Sequence, residues 1–125
     1  MAANPFPMLT GTVTMVGQPP ARVTATRRIR ADEPYLAGHF PGWPVVPGVL
    51  LLKLMRETAA LLFPGADLQR VEGLRLLQAV TPETELVAEA KLTGPGQAAA
   101  TLTAGEAPVA RCKLYFSQRE VVVDG

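Results

Sequence analysis

From Met8 to Val16, apolar Leu9, Val13 and Met15 are set loosely against Thr10, Thr12 and Thr14. That β-branched content favours a strand. Gly17-Gln18-Pro19-Pro20 reads as a turn, and Arg22 to Arg30, with Val23, Ala25 and Ile29 among Thr and Arg, reads as a second strand. The period changes at Val49 to Phe63. Apolar groups recur at nearly every helical turn there, and Lys53, Arg56 and Glu57 mark a narrow polar stripe. Such a helix is expected to be buried on most sides, and Pro64-Gly65 should end it. Four further strands are predicted at Arg70 to Val80, Thr84 to Leu92, Gln97 to Ala104 and Val109 to Ser117. Thr81-Pro82-Glu83, Gly94-Pro95-Gly96 and Gly105 to Pro108 should join them as hairpin turns, giving a four-stranded meander. The apolar tail Val121–Val123 is expected to add a short edge extension. Two strands, one buried helix and four strands make an α+β arrangement, with a curved antiparallel sheet around one central helix.

Between the second strand and the helix the character is different. Pro34, Pro41, Pro44 and Pro47 alternate with Gly38, Gly42 and Gly48, so neither helix nor ladder can persist. Yet Tyr35, Leu36, His39, Phe40 and Trp43 lie in the same stretch, which does not suit an exposed linker. An ordered, aromatic-rich loop is expected.

Size and charge narrow the options. The 125 residues suit a single domain over residues 1–125, with 48% apolar and 18% charged residues, a compact rather than disordered composition. A core this small would gain from burial against another subunit, so a dimer is expected. The formal charge is only +1, and Arg27, Arg28 and Arg30 are the sole dense basic group. They are read as a solvated strand face, which argues against a nucleic-acid partner. Cys112 is the only cysteine, so no internal disulfide or thiolate metal cluster is expected, and within a strand it reads as an apolar filler. Met1 to Pro7 lacks the pattern of a signal peptide, and the charged Leu50 to Phe63 stretch is too short to span a bilayer. A soluble, cytoplasmic protein without membrane contact is expected.

The most informative stretch is Gly38-His39-Phe40-Pro41-Gly42-Trp43-Pro44-Val45-Val46-Pro47-Gly48-Val49-Leu50. Its glycines and prolines hold one imidazole close in sequence to a helix start. The Gly48 N–H has no acceptor within the helix, and the positive end of the helix dipole lies there. Those groups suit a carbonyl oxygen that gains negative charge. An imidazole, titrating near neutrality (unperturbed pKa ~6.5), suits removal of the adjacent proton. A structural histidine, a core-anchoring Trp43 and a plain helix start at Gly48 are the plainer alternatives.

This stretch closely resembles the active-site segment of the 3-hydroxyacyl-carrier-protein dehydratases, in which GHFPG-x-PV-x-PGVL leads into the central helix of a hotdog fold. The resemblance implies His39 as catalytic base and Gly48 as the carbonyl-polarising amide. Phe40, Trp43, Val46 and Pro47 would line or shape an acyl tunnel. It also implies a carrier protein with a phosphopantetheine-linked substrate, no metal and no organic cofactor. A weaker expectation places Arg27, Arg28 or Arg30 at the carrier.

The family carries an acidic residue fourteen positions after the histidine; here that position is Lys53. Glu57 lies one turn further along the same face, ~6 Å up the axis, and is the candidate acid within this chain. Alternatively a partner subunit supplies the acid in a heterodimer, as in the paired dehydratase-like subunits of aryl-polyene pathways, and Lys53 faces that partner's half of the site. A homodimer is the other arrangement that the resemblance allows. A third account has no dehydration at all, leaving an acyl-binding partner subunit or a thioesterase. A Lys53–Glu57 ion pair at a subunit interface is the plainer reading of the two residues.

Overall fold

The computed structural model describes residues 8–33 and 45–117. Its elements are β1 (Val13–Val16), β2 (Arg22–Arg28), α1 (Gly48–Ala60), β3 (Leu68–Leu76), β4 (Glu85–Gly94), β5 (Gln97–Ala104) and β6 (Ala107–Phe116). The strands form one antiparallel sheet in the order β1-β2-β4-β5-β6-β3, with α1 packed on β2, β4, β5 and β6. The α+β class and the element order are those predicted. The first strand is shorter than expected, and the helix ends three residues earlier, at Ala60. The tail Val121–Val123 lies outside the described residues.

One expectation is corrected. The last four strands do not form a continuous meander, because β3 pairs with β6 at the far edge of the sheet. Only β4, β5 and β6 follow one another through hairpins. Thr81-Pro82-Glu83 therefore belongs to a crossover from an edge to the middle, not to a hairpin. Turn residues reveal where a strand ends, whereas the choice of neighbour is a long-range pairing that local composition does not encode.

The helix explains an unusual feature of the strands beneath it. Alanine is disfavoured in strands, yet Ala88, Ala90, Ala98 and Ala100 occupy core-facing positions of β4 and β5 and are at most 1% exposed. Larger side chains there would hold the helix away from the sheet. The small floor lets Leu50, Leu51, Leu54, Met55 and Ala59 of α1 settle against it. Leu86, Leu102, Val109 and Leu114 fill the space around. Thr58, buried with them, donates its hydroxyl to the Leu54 carbonyl at 2.7 Å, so that hydroxyl is satisfied.

Period two also explains Arg27. It follows Val23 and Ala25 on the inner face of β2 and is only 6% exposed. The reading of Arg27 as part of a solvated face is thus corrected. Its guanidinium donates to the Arg28 carbonyl at 2.8 Å and pairs with Glu33, whose other oxygen accepts the Arg30 N–H. Arg28 and Arg30 are exposed and sit beside Glu85 and Asp32.

Cys112 is buried in the core, its thiol 3.9 Å from the Met55 sulfur. Burial pushes its pKa from 9.0 up to about 11. The thiol is a packing group, as expected of a filler.

Two predictions follow from the core. Ala90→Leu should destabilise the protein by about 1–3 kcal/mol through overpacking, and Leu54→Ala by about 2–5 kcal/mol through a cavity, both read from urea unfolding. Between pH 9 and about 11 the unfolded chain loses the Cys112 proton while the folded chain keeps it. Stability should therefore fall as pH rises through that window, and Cys112→Ala should flatten the fall.

Candidate active site

The N-terminus of α1 is fixed from two sides. The buried Val46 donates its N–H to the Val80 carbonyl at 2.7 Å, tying the approach strand to the crossover before β4. Pro47 is the N-cap and provides no side-chain cap, though its carbonyl accepts the Leu50 N–H at 3.0 Å. Gly48 is the first helical residue, and its N–H has no acceptor among the described residues. With no acidic side chain in the first turn, that amide and the helix dipole remain available to an anionic oxygen.

Close approach accounts for glycine here. A Cβ at position 48 would lie 2.6 Å from Leu76 Cδ1. Leu76 reaches this place because β3 carries one extra residue relative to β6 between Glu72 and Arg75. That bulge resets the alternation, placing Leu76 on the helix side of the sheet opposite Ala110, where it stays half exposed. The contact was not legible in the sequence, since the bulge decides which face Leu76 takes.

One turn and a half along α1, Lys53 Nζ lies 3.8 Å from Glu57 Oε2, with the two side chains 22% and 16% exposed. Glu57 Oε1 accepts the Met8 N–H at 3.0 Å, and Met8 is fully buried. Glu57 thus ties the N-terminal segment to the helix while facing Lys53. Lys53 also lines an apolar groove of about 240 Å³ with Val49, Leu50, Leu52, Arg56 and Leu68. The structure therefore brings Val46, Pro47 and Gly48 together at the helix start and Lys53 with Glu57 further along. His39, Phe40 and Trp43 lie outside the described residues.

The helix is not enclosed on every side. Val49 is 69% exposed, and Leu74, Leu76 and Leu77 of the β3 region are also exposed. Leu74 and Leu76 belong to β3, which is an edge of the sheet among the described residues. Among the described residues, no helix is long and apolar enough to cross a membrane, and no cluster of His, Cys, Asp or Glu could hold a metal ion.

Residues 17–111 match the family model described as ApeI-like, ApeI dehydratase. The chain belongs to the ApeI-like dehydratase family. The dehydratase match is also found among curated relatives. The 3-hydroxyacyl-[acyl-carrier-protein] dehydratase FabZ of Chloroflexus aggregans is 35% identical over 104 residues, covering 68% of this ApeI-like chain and 69% of that protein. The FabZ of Ralstonia nicotianae is 36% identical over 98 residues, covering 70% of this chain. The chain spans 60% of that relative's length, and 45% of the length of the FabZ from Cupriavidus metallidurans.

The hotdog fold of the ApeI-like chain is shared with a solved structure described as the dehydratase heterocomplex ApeI:P from Xenorhabdus doucetiae. That likeness has a TM-score of 0.75 at 16% identity and covers 86% of this chain and 95% of that one. The dehydratase domain of a mycocerosic acid synthase-like polyketide synthase matches with a TM-score of 0.72 at 17% identity, covering 100% of this chain and 43% of that one.

The double role of Glu57 yields a graded expectation. Glu57→Ala removes the acceptor of a buried N–H and should cost about 1–3 kcal/mol in urea unfolding. Glu57→Gln keeps an acceptor for Met8 and should cost less. Equal losses in the two variants would show that the Met8 hydrogen bond carries no weight.

Proposed function

We propose that this chain is a dehydratase subunit that converts 3-hydroxyacyl thioesters, held on an acyl carrier protein, into 2-enoyl thioesters in fatty-acid or polyketide-type synthesis. The observation that carries the reading is the uncapped Gly48 amide at the start of the buried helix, directly after the Gly38–Pro47 segment with His39. In this reaction the thioester carbonyl accepts the Gly48 N–H and the field of the helix end. His39 removes a proton from the carbon next to that carbonyl. The resulting electron pair forms the new double bond as the C3–O bond breaks, and the departing hydroxyl takes up a proton to leave as water. Val46 and Pro47, with Phe40 and Trp43, form the wall that guides the acyl chain.

The proton for the leaving hydroxyl comes, in this proposal, from a companion subunit. Lys53 occupies the helix position where the resemblance places an acid, and Glu57 is already the acceptor for Met8 and the neighbour of Lys53. Only Glu57 Oε1 is so engaged, and Oε2 has no hydrogen-bond partner among the described residues, but a carboxylate ~6 Å further along the axis is poorly placed to protonate the hydroxyl. The companion is a second hotdog subunit seated beside β3, the edge of the sheet among the described residues, where Val49, Leu74, Leu76 and Leu77 are exposed. The ApeI:P structure, a dehydratase heterocomplex by its description, supports this choice over a homodimer. Lys53 then faces the partner's half of the site.

Intact-mass analysis of a 3-hydroxyacyl carrier protein tests this reading. Loss of one water should require both this chain and a companion subunit that bears an acid, and should fall by about 10²-fold or more with His39→Ala. Water loss by this chain alone, abolished by Glu57→Gln, would instead make Glu57 the acid. Water loss untouched by His39→Ala would leave the chain a non-catalytic partner, and free carrier protein would make it a thioesterase.

A further inference from the structure

The outer face of the sheet, opposite the helix, holds a group of cations that the proposed reaction does not use. Alternation along β6 buries Cys112 and Leu114 and turns Arg111 and Lys113 outward. Across the ladders, Arg111 lies between Arg75 of β3 and Thr101 of β5, and Lys113 has Ala99 as its β5 partner. Strict alternation from the outward Glu72 would send Arg75 inward. The one-residue bulge, where Gly73 adopts φ 63°, turns it outward beside Arg111.

Two arginines directly opposite on a ladder repel each other. Arg75, Arg111 and Lys113 have no carboxylate at ion-pair distance among the described residues. The nearby acids of this face are engaged elsewhere. Glu72 pairs with Arg70 at 2.9 Å and accepts the Tyr115 hydroxyl at 3.1 Å, and Glu89 lies 3.5 Å from Lys91. The three cations border a concavity of about 340 Å³ that Ala99 and Thr101 also line. At Gly73 a Cβ would meet nothing within 4 Å, so the approach past the bulge is open.

We propose that this concavity binds a phosphoryl oxyanion, as a phosphate ester or a diphosphate. Two guanidinium forks suit the paired oxygens of such a group, Lys113 adds a point charge, and the Thr101 hydroxyl adds a neutral donor. A bound anion removes the repulsion between Arg75 and Arg111. Three converging cations over a small-residue floor favour one compact ligand group over the broad contact of an acidic protein. This site is separate from the thioester reaction, so it stands or falls independently of that reading.

Calorimetric titration of the full chain in low-salt, phosphate-free buffer tests it, with inorganic diphosphate and adenosine 3′,5′-bisphosphate as probes. At least one probe should bind one per chain, with affinity about tenfold or more lower in Arg75→Ala and in Arg111→Ala, and lower at high salt. Arg22→Ala, an exposed cation on β2, should leave binding unchanged. Tighter binding of the bisphosphate assigns the site to the nucleotide end of a coenzyme, and tighter binding of diphosphate to the free anion. Each variant removes one of two repelling charges, so without anion its melting temperature should equal or exceed that of the parent. Three results overturn the proposal: no binding of either probe at millimolar concentration, equal binding by the variants, or arginine-dependent binding of an acidic carrier protein with neither probe bound.

Discussion

The close seating of α1 on an alanine floor is the contact on which the rest of the structure depends. Ala88, Ala90, Ala98 and Ala100 give up the bulk that strands usually carry, and the helix fills the space with Leu51, Leu54 and Met55. That depth fixes where the helix starts. The Val46–Val80 hydrogen bond then holds the approach to Gly48 in place, and the Gly48 amide has no acceptor among the described residues. A core decision made at the middle of β4 and β5 thus sets the position of a polarising N–H at the helix end.

The same geometry leaves the helix unfinished on one side. Val49 and the leucines of the β3 region are apolar and exposed, and β3 is an edge strand of the sheet among the described residues. Such a surface suits a second subunit, and the proposed division of labour follows from it. This chain would supply the base and the polarising amide, and the companion would supply the acid that Lys53 displaces. Glu57, through its hydrogen bond to Met8, contributes to the cohesion of the chain.

Much of this was legible in the residues, for reasons that differ by element. The β4–β5 and β5–β6 hairpins announce themselves through Pro95-Gly96 and Gly105-Glu106, since a reversal needs a positive φ and glycine supplies it at Gly96 and Gly105. The helix was readable from its apolar period, whereas residues 34–44 of the Gly-Pro-rich segment before it lie outside the described residues. The seat of β3 beside β6 was not readable, because pairing across the chain is decided by packing. Arg27 was misjudged although the signal was present: it follows Val23 and Ala25 at period two. The bulge at Gly73 and Leu74 had a local signature in the lone glycine within the predicted strand, but nothing there said that it would re-aim Leu76 and Arg75. The Met8 link to Glu57 spans a long stretch of sequence and could not be seen from either end.

The central claim is that this chain carries the base half of a divided site, and isotope exchange tests it most directly. A 3-hydroxyacyl carrier protein would be incubated in D2O with the chain and a companion subunit whose acid has been replaced by its amide. Mass spectrometry would then follow deuterium at the carbon beside the thioester. The account predicts deuterium uptake without loss of water, and no uptake when the chain carries His39→Ala. Uptake that is equal with His39→Ala would contradict it, placing the base on another residue or on the companion.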